Sequence, residues 1–478
     1  MLLTIEKLIY GGDGLARLPA APDVPAAAIP AAAPVIDEAW GRGKAVFVPF
    51  VLAAEKIEAS LTEQKPGFAR AQADAIIEAS PHRIQPACPY FTRCGGCHYQ
   101  HASYEHQLEI KKEILRENLR RIARLDLLFD IEVHPSPRWN YRNRSRLQIR
   151  AEQVRVSPDF AVGYFKISSH ELLAVEECPI SSPLINRGIA SLWQSGRAGK
   201  VPAGVREVEF FANSDDTQLL LEIGCAGSAR RAAVREWAEE LRAAMPEIAG
   251  VVAFREPNPG DRKAGAPEIL VTAGAGSLTY QTQRAAFRVS AGSFFQTNRH
   301  LTDDLVKIVT AGQSGKLALD LYAGAGLFST ALACDFDHVV SVEPSQTSSA
   351  DLAYNQPKNG ETVQATAEQY LAGAVQAGAE DSGRVGKGAV NKRAVTPHIL
   401  HKPDLVVVDP PRSGLGERVA RLLVTLAAPR VTYVSCDPAT LARDLVPLLA
   451  AGYRVEQTHL VDLFPQTYHL ESVVHLVR

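Results

Sequence analysis

From residue 291 onward the chain repeats one rhythm, a short and almost wholly apolar run followed by a segment of helix length. The runs are KLALDLYAG, HVVSVEPS, DLVVVDPP, RVTYVSCDP and VVHLVR. A strand covered on one face alternates apolar with polar residues, whereas a strand covered on both faces reads as continuous. These runs are therefore strands of a parallel sheet with helices on both sides. Parallel neighbours need crossover connections, and ligands of such sheets sit outside the carboxyl ends of the strands. The spacing predicts a doubly wound α/β domain over 291–478.

The rest of the chain obeys other rules. Residues 1–80 alternate short β-rich runs with Gly turns (LTIEKLIYGGDGLARL, GKAVFVPF, KIEASLTEQ), the pattern of a small barrel. Pro19–Pro34 is nearly all Ala and Pro and reads as a loop insertion between two strands. Residues 81–290 hold a confined Cys- and aromatic-rich stretch, a helix in YEHQLEIKKEILRENLRRIARL, a second helix near 229–245, and strand-like runs such as SRLQIRAEQ and VREVEFFAN. That mixture predicts a central α+β domain. Ala377–Pro397, polar, Gly-rich and basic, reads as a surface loop.

Composition narrows the setting. Lys and Arg total 51 against 53 Asp and Glu, a formal charge of -2, so a polyanion partner would have to meet a local basic patch. No apolar run approaches the roughly 18 residues of a membrane span, and the start lacks the pattern of an export signal. Seven cysteines in 478 residues are too few and too uneven for a disulfide scaffold. A reducing cytoplasm is the expected location, with no membrane partner and no DNA.

Residues that can do chemistry gather at the predicted strand ends. In LALDLYAGAGLFS the strand ends at Leu321, and Gly324 and Gly326 let the backbone turn tightly towards a ligand. SVEPS places Glu343 at the end of the next strand, where a carboxylate can accept from a ribose diol. Together these predict a nucleoside-bearing cofactor. VVVDPPRSG then puts Asp409 at a strand end beside a stiff Pro-Pro turn, an arrangement that favours S-adenosylmethionine over a dinucleotide. Arg412 stands where amino-group methyltransferases carry an aromatic residue, which disfavours an exocyclic amine as acceptor.

Two further residues define the reaction. RVTYVSCDP delivers Cys436 to the same edge, and HLESVVHL places Glu471 just before the last strand. A thiol and a carboxylate beside a methyl donor are what carbon 5 of a pyrimidine needs. The thiolate adds to carbon 6 to make carbon 5 nucleophilic, and a base later removes the proton from carbon 5. An amine or hydroxyl acceptor would need no such thiol.

Two clusters remain. CPYFTRCGGCHYQ supplies Cys88, Cys94 and Cys97, and EECPI supplies Cys178, a thiol set that can hold zinc or a four-iron, four-sulfur cluster. RWNYRNRSRLQIR interleaves five Arg with Trp139 and Tyr141, and predicts an RNA surface carried by Arg138, Tyr141, Arg142 and Arg144. A base within a stack hides its carbon 6, so the target uridine must be flipped out or unpaired.

These residues in this order resemble the RNA uracil-5-methyltransferase family, most closely its iron–sulfur branch acting on 23S ribosomal RNA. The resemblance runs nearly end to end. It implies a Rossmann-like methyltransferase domain, a TRAM-type barrel (OB-like) over 1–80, and a central domain over 81–290 whose Cys88, Cys94, Cys97 and Cys178 hold a [4Fe-4S] cluster in preference to zinc. SFFQTN at 293–298 matches the family's cofactor signature. By the same resemblance Gln296, Tyr322, Gly324, Glu343 and Asp409 bind S-adenosylmethionine, Cys436 is the nucleophile and Glu471 the base. The expected product is 5-methyluridine in ribosomal RNA, and the expected oligomeric state is a monomer. The alternatives are the same reaction on transfer RNA, or a non-catalytic RNA-binding or assembly factor. The insertions at 19–34 and 377–397 depart from compact members of the family.

Overall fold

The computed structural model describes residues 1–18, 43–152, 159–255, 268–381 and 402–478. The Ala/Pro stretch at 19–34 and residues 382–397 of the expected polar loop lie outside these. Residues 377–381 are not loop but the last turn of a helix. The chain divides into two compact units, Met1–Ile114 with Gln466–His469, and Leu115–Pro465 with Leu470–Arg478.

The first unit holds strands β1 (Leu2–Thr4), β2 (Lys7–Leu8), β3 (Gly14–Arg17), β4 (Ala45–Val48), β5 (Lys56–Gln64) and β6 (Phe68–Glu78). They form one sheet in the order β1-β5-β6-β4-β3-β2. The first half of β5 buries Ile57 and Ala59 and exposes the residues between them, as a sheet with one core face requires. Just after β1, the Ile5 N–H bonds to Glu55 O at 2.9 Å and the Glu6 N–H to Leu15 O at 2.8 Å. One short segment thus joins the β5 side of the sheet to the β3 side and curls it around Ile5, Val46, Val48 and Ile57. The cysteine loop comes next, then helix α1 (Tyr104–Ile122), within which the division between the units falls.

The second unit is built on two large sheets. The central one uses β8 (Arg144–Glu152), β9 (Asp159–Phe165), β10 (Leu172–Ala174), β11 (Val205–Ala212), β12 (Leu219–Cys225), β13 (Ile248–Arg255) and β14 (Glu268–Gly274), in the order β10-β9-β8-β11-β12-β13-β14. Helices α2 (Pro183–Arg197) and α3 (Arg231–Ala244) cover it, with Phe210, Leu221 and Trp237 in the core. A hairpin, β15 (Ser277–Gln281) and β16 (Ala286–Ser290), comes after it in the chain. Its Leu278, Tyr280, Phe287 and Val289 precede residue 291 yet pack into the core of the next sheet.

That sheet has eight strands: β7 (Glu132–His134), β17 (Gly315–Leu321), β18 (Phe336–Val342), β19 (Gly360–Val363), β20 (Leu405–Val408), β21 (Arg430–Ser435), β22 (Arg454–Val461) and β23 (Glu471–Val477), in the order β19-β18-β17-β20-β21-β23-β22-β7. Helices α4 (Thr302–Thr310), α5 (Leu327–Leu332), α6 (Gln346–Asn355), α7 (Ala367–Asp381), α8 (Gly416–Leu426) and α9 (Pro438–Ala450) accompany them. The five apolar runs read from the sequence are β17, β18, β20, β21 and β23, and all four residues of β20 are buried. The α/β architecture is as expected. The unexpected member is β7, three residues from far upstream that pair with β22. Among the described residues no helix is long and apolar enough to cross a membrane.

Packing at one glycine tests the central core. Gly188 in α2 faces the buried Phe210, and a Cβ there would stand 2.6 Å from Phe210 Cε1. An open helix would gain about 1 kcal/mol from Gly→Ala, but overpacking a full core costs about 1–3 kcal/mol. Gly188→Ala is therefore expected to lower the melting temperature by a few degrees, and an unchanged or higher value would show that the helix can move away.

Candidate active site

The site is created by strand direction. β17, β18, β20 and β21 run parallel, so their carboxyl ends share one edge. The chain leaves β17 for β18 and β19, then crosses back to β20, which makes the gap between β17 and β20 the topological switch point. β23 runs antiparallel to β21, so its first residue, Glu471, lies at that same edge. Ser435 pairs with Ser472, so Cys436, one residue past Ser435, and Glu471, one before Ser472, are neighbours across the two strands.

Both flanks of Cys436 are pinned. The Ser472 hydroxyl donates to Ser435 O at 3.2 Å, and Asp437 caps α9 by accepting from the N–H groups of Ala439 and Thr440 at 3.0 and 2.9 Å. A thiol before a helix is often acidified. Here burial wins and, helped by the charges of Glu471 and Asp409, pushes the half-buried Cys436 thiol up to about 12, with Arg412 opposing. Glu471 is 5% exposed, and burial together with Asp409 raises its carboxyl well above the usual range, again opposed by Arg412.

Carboxylates crowd this edge. Burial, and then Asp320, push Asp409 up to about 7. Asp320 is fully buried and is likewise raised to about 7 by burial, although the Ser329 hydroxyl donates to its Oδ2 at 2.5 Å. Its Oδ1 has no partner among the described residues. Glu343 accepts from the Gly324 N–H at 3.0 Å and the Ser345 N–H at 2.8 Å, and each oxygen keeps a lone pair for another donor. Tyr322 has φ +63°, rare for a bulky residue, and Gly324 and Gly326 have φ +55° and +96°. The backbone after β17 is thus turned sharply beside Asp320.

The segment 293–298 is held from both ends. Asp351 of α6, fully buried, accepts from Ser290 N–H and Oγ at 2.7 Å and from Ser293 Oγ at 2.6 Å. At the far end Asn298 Nδ2 donates to Ser136 Oγ at 2.9 Å and Leu463 O at 3.0 Å. Gln296, between them, is buried at 8% exposure, and its amide has no partner among the described residues. The unpaired Asp320 oxygen and the Gln296 amide, which no described residue engages, are the polar groups that a bound cofactor would meet, so these residues fit S-adenosylmethionine. Asp351, Asn298 and the 60% exposed Phe294 were not anticipated from the sequence.

The expected RNA residues separate. Arg138 is exposed. Tyr141 is fully buried and its hydroxyl donates to Pro465 O at 3.0 Å, so its ring cannot receive a base. Arg144 is committed internally as well: it pairs with Glu209, donates to Glu222 at 2.8 Å, and donates to Ser293 O at 2.6 Å. Those contacts replace the expected phosphate contact. Arg142 is half-buried, and its Nε donates to Arg144 O at 2.8 Å. Arg142, Arg144, Arg146, Glu209, Glu222 and Phe294 border an open cavity of about 290 Å³.

The cysteines are divided between the units. Cys88, Cys94 and Cys97 lie in a turn-rich loop of the first, where Cys94 N–H bonds to Tyr90 O at 2.9 Å. Cys178 lies in the second, its N–H bonded to Asn186 Oδ1 at 2.9 Å. Thiols as donors suit either zinc or an iron–sulfur cluster.

Comparisons with known proteins agree with this geometry. The family model described as tRNA (Uracil-5-)-methyltransferase matches residues 275–478. An RNA methyltransferase of Aquifex aeolicus is 30% identical over 99% of this chain and 97% of its own. The 23S rRNA (uracil(1939)-C(5))-methyltransferase RlmD of Vibrio parahaemolyticus is 29% identical over 91% of each. Among solved structures, Pyrococcus abyssi tRNA (uracil-54, C5)-methyltransferase in complex with S-adenosyl-L-homocysteine shares the fold, with a TM-score of 0.68 and 22% identity over 100% of both chains.

The thiol's electrostatics give a direct test. A thiol near 12 is almost wholly protonated at pH 8.5, and its greater intrinsic nucleophilicity recovers only part of the loss. Alkylation of Cys436 by iodoacetamide, mapped by mass spectrometry, is expected to run roughly 30–100 times slower than that of an ordinary thiol. The rate should keep rising beyond pH 10, and a plateau near pH 8 would contradict the assigned environment.

Proposed function

The chain belongs to the RNA (uracil-5-)-methyltransferase family, whose members depend on S-adenosylmethionine, and on that premise we propose that it methylates carbon 5 of a uridine in 23S ribosomal RNA through a covalent adduct on Cys436. The observation that carries this reading is the adjacency of Cys436 and Glu471, fixed by the pairing of Ser435 with Ser472.

S-adenosylmethionine, when bound, supplies a methyl group on a positively charged sulfur. Gln296, Tyr322, Gly324, Glu343 and Asp409 would hold it. Cys436 Sγ, its proton passed to solvent, adds to carbon 6 of the uracil, and the electron pair of the 5,6 double bond moves onto carbon 5. After carbon 5 carries the methyl group, Glu471 takes the remaining proton from it. The electron pair of that C–H bond re-forms the 5,6 double bond and expels the sulfur. A carboxylate whose pKa is raised by burial is the stronger base, which suits Glu471 to this step. Phe294, exposed within the 293–298 segment, presents a face on which an unstacked base can lie, and we assign the exposed Arg138 to a phosphate.

Ribosomal RNA is favoured by the similarity to the Vibrio enzyme, which extends over nine-tenths of both chains, and by the cysteine set. We assign a [4Fe-4S] cluster to Cys88, Cys94, Cys97 and Cys178, as a structural element rather than an electron source. The six-stranded sheet of the first unit is read as the TRAM-type barrel. Transfer RNA is the second reading, supported by the shared fold of the Pyrococcus enzyme.

Cys436→Ala should abolish methylation and still bind S-adenosylhomocysteine, and residual methylation would overturn the mechanism. Glu471→Gln should slow product release by about 10²- to 10⁴-fold and accumulate a protein–RNA adduct visible by denaturing electrophoresis. If neither adduct nor slowing appears, Glu471 is not the base. Mass spectrometry of ribosomal and transfer RNA from a deletion strain decides the substrate by which one loses a methyl group.

Anaerobically purified protein should contain four irons and four acid-labile sulfides per chain. One zinc without sulfide would replace the cluster assignment.

A further inference from the structure

Strand β7 lies at the outer edge of the eight-stranded sheet, parallel to β22, with Glu132 opposite His459 and His134 opposite Val461. Residues two apart on a strand share a face, so Glu132 and His134 project together beside His459. His134 Nε2 stands 3.1 Å from His459 Nδ1. One oxygen of Glu132 is 3.4 Å from His459 Nδ1, and the other is 3.7 Å from His134 Nε2. We propose that Glu132, His134 and His459 bind one divalent transition-metal ion, zinc by fit, which fastens β7 to the sheet.

The separations carry the argument. A tetrahedral ion with bonds of about 2.0–2.1 Å holds its ligand atoms about 3.3 Å apart, and the three separations here bracket that length. A proton shared between the two imidazoles would explain the 3.1 Å contact alone. It would leave the Glu132 oxygens at 3.4 and 3.7 Å, long for hydrogen bonds, whereas an ion at the centre of the triangle engages all three groups. The fourth position is left to water.

Ring geometry separates this group from the other one of its kind. His82, His106 and Glu109 also lie close together, but the two rings stack at 4.1 Å and 9°. Lone pairs in parallel planes run side by side and do not converge. The rings of His134 and His459 are inclined by 37° with centroids 5.2 Å apart. His475 packs edge-on against His459 at 90°, itself bonded to Thr432 Oγ1 at 3.1 Å, which fixes the ring of His459 in place. Two imidazoles and a carboxylate select zinc, cobalt or nickel over magnesium or calcium.

The clip would act on the site indirectly. The Asp462 N–H donates to His134 O at 3.0 Å, and Ser136 accepts from Asn298, which anchors the 293–298 segment. The ion would steady that anchor.

Cobalt(II) titrations of chelator-treated full-length wild type and Glu132→Gln, compared because the cysteines also take cobalt, test the proposal. The wild type is expected to bind one equivalent more, and the difference spectrum to show the visible bands of tetrahedral cobalt without thiolate charge transfer in the near ultraviolet. His459→Ala and His134→Ala should each weaken that equivalent by about tenfold or more. Glu132 is two-thirds exposed, so Glu132→Gln does not threaten folding. Zinc should raise the melting temperature of the wild type more than that of Glu132→Gln. The site is disproved if wild type and Glu132→Gln bind cobalt and melt alike, or if the difference bands show thiolate ligation.

Discussion

Strand β23 enters its sheet against the direction of β21 and β22, and the chemistry of the edge rests on that reversal. Every parallel strand can offer the site only the residues just past its carboxyl end, which are loop residues: Tyr322, Glu343, Asp409 and Cys436. An antiparallel strand offers the residue at its start, already locked in a ladder of hydrogen bonds. Glu471 is therefore held more rigidly than a loop carboxylate would be, and it is held against the one strand end that carries a thiol. Shifting the register by one residue would turn Glu471 to the other face of the sheet, so the same pairing that stabilises the fold also sets the distance between Cys436 and Glu471.

The charges at this edge are out of balance without a ligand. Asp320, Asp409, Glu343 and Glu471 all have carboxyl groups raised above their ordinary range, in each case mainly by burial, with Arg412 the positive group that acts on Glu471 and Cys436. A buried group disfavours charge until a counter-charge arrives. A sulfonium is such a counter-charge. Its arrival would favour the ionised aspartates, whose charge it balances. The high pKa of the thiol then becomes protective, because the free enzyme carries little thiolate to react with stray electrophiles.

The sheet and the residues along its carboxyl edge were legible in the sequence for a simple reason. Strands buried on both faces leave continuous apolar runs, and the residues just past each run must lie at the active edge, so Cys436, Asp409 and Glu343 could be placed by counting. Tyr141 and Arg144 could not. RWNYRNRSRL does not say which face is turned inward, and the partners that settle it, Pro465 for Tyr141 and Glu209 and Glu222 for Arg144, are 65 or more residues away. A guanidinium that looks like a phosphate ligand in sequence is, in the fold, the centre of an internal ion network. β7 was invisible for the opposite reason, since three residues are too few to show any period.

Arg144 also shows how the two sheets of the second unit act together. Its Glu209 and Glu222 partners belong to the central sheet, while Ser293 O, which it also holds, begins the segment that carries Gln296. Asp351 grips the same segment from α6 and Asn298 from the β22 side, so Gln296 is suspended from three directions, each a buried polar contact that is costly to break. Such an amide needs no rearrangement to meet a ligand, and preorganisation of this kind lowers the cost of binding. The central sheet, which contributes no side chain to the strand-end edge, thereby contributes the rigidity of the segment around Gln296.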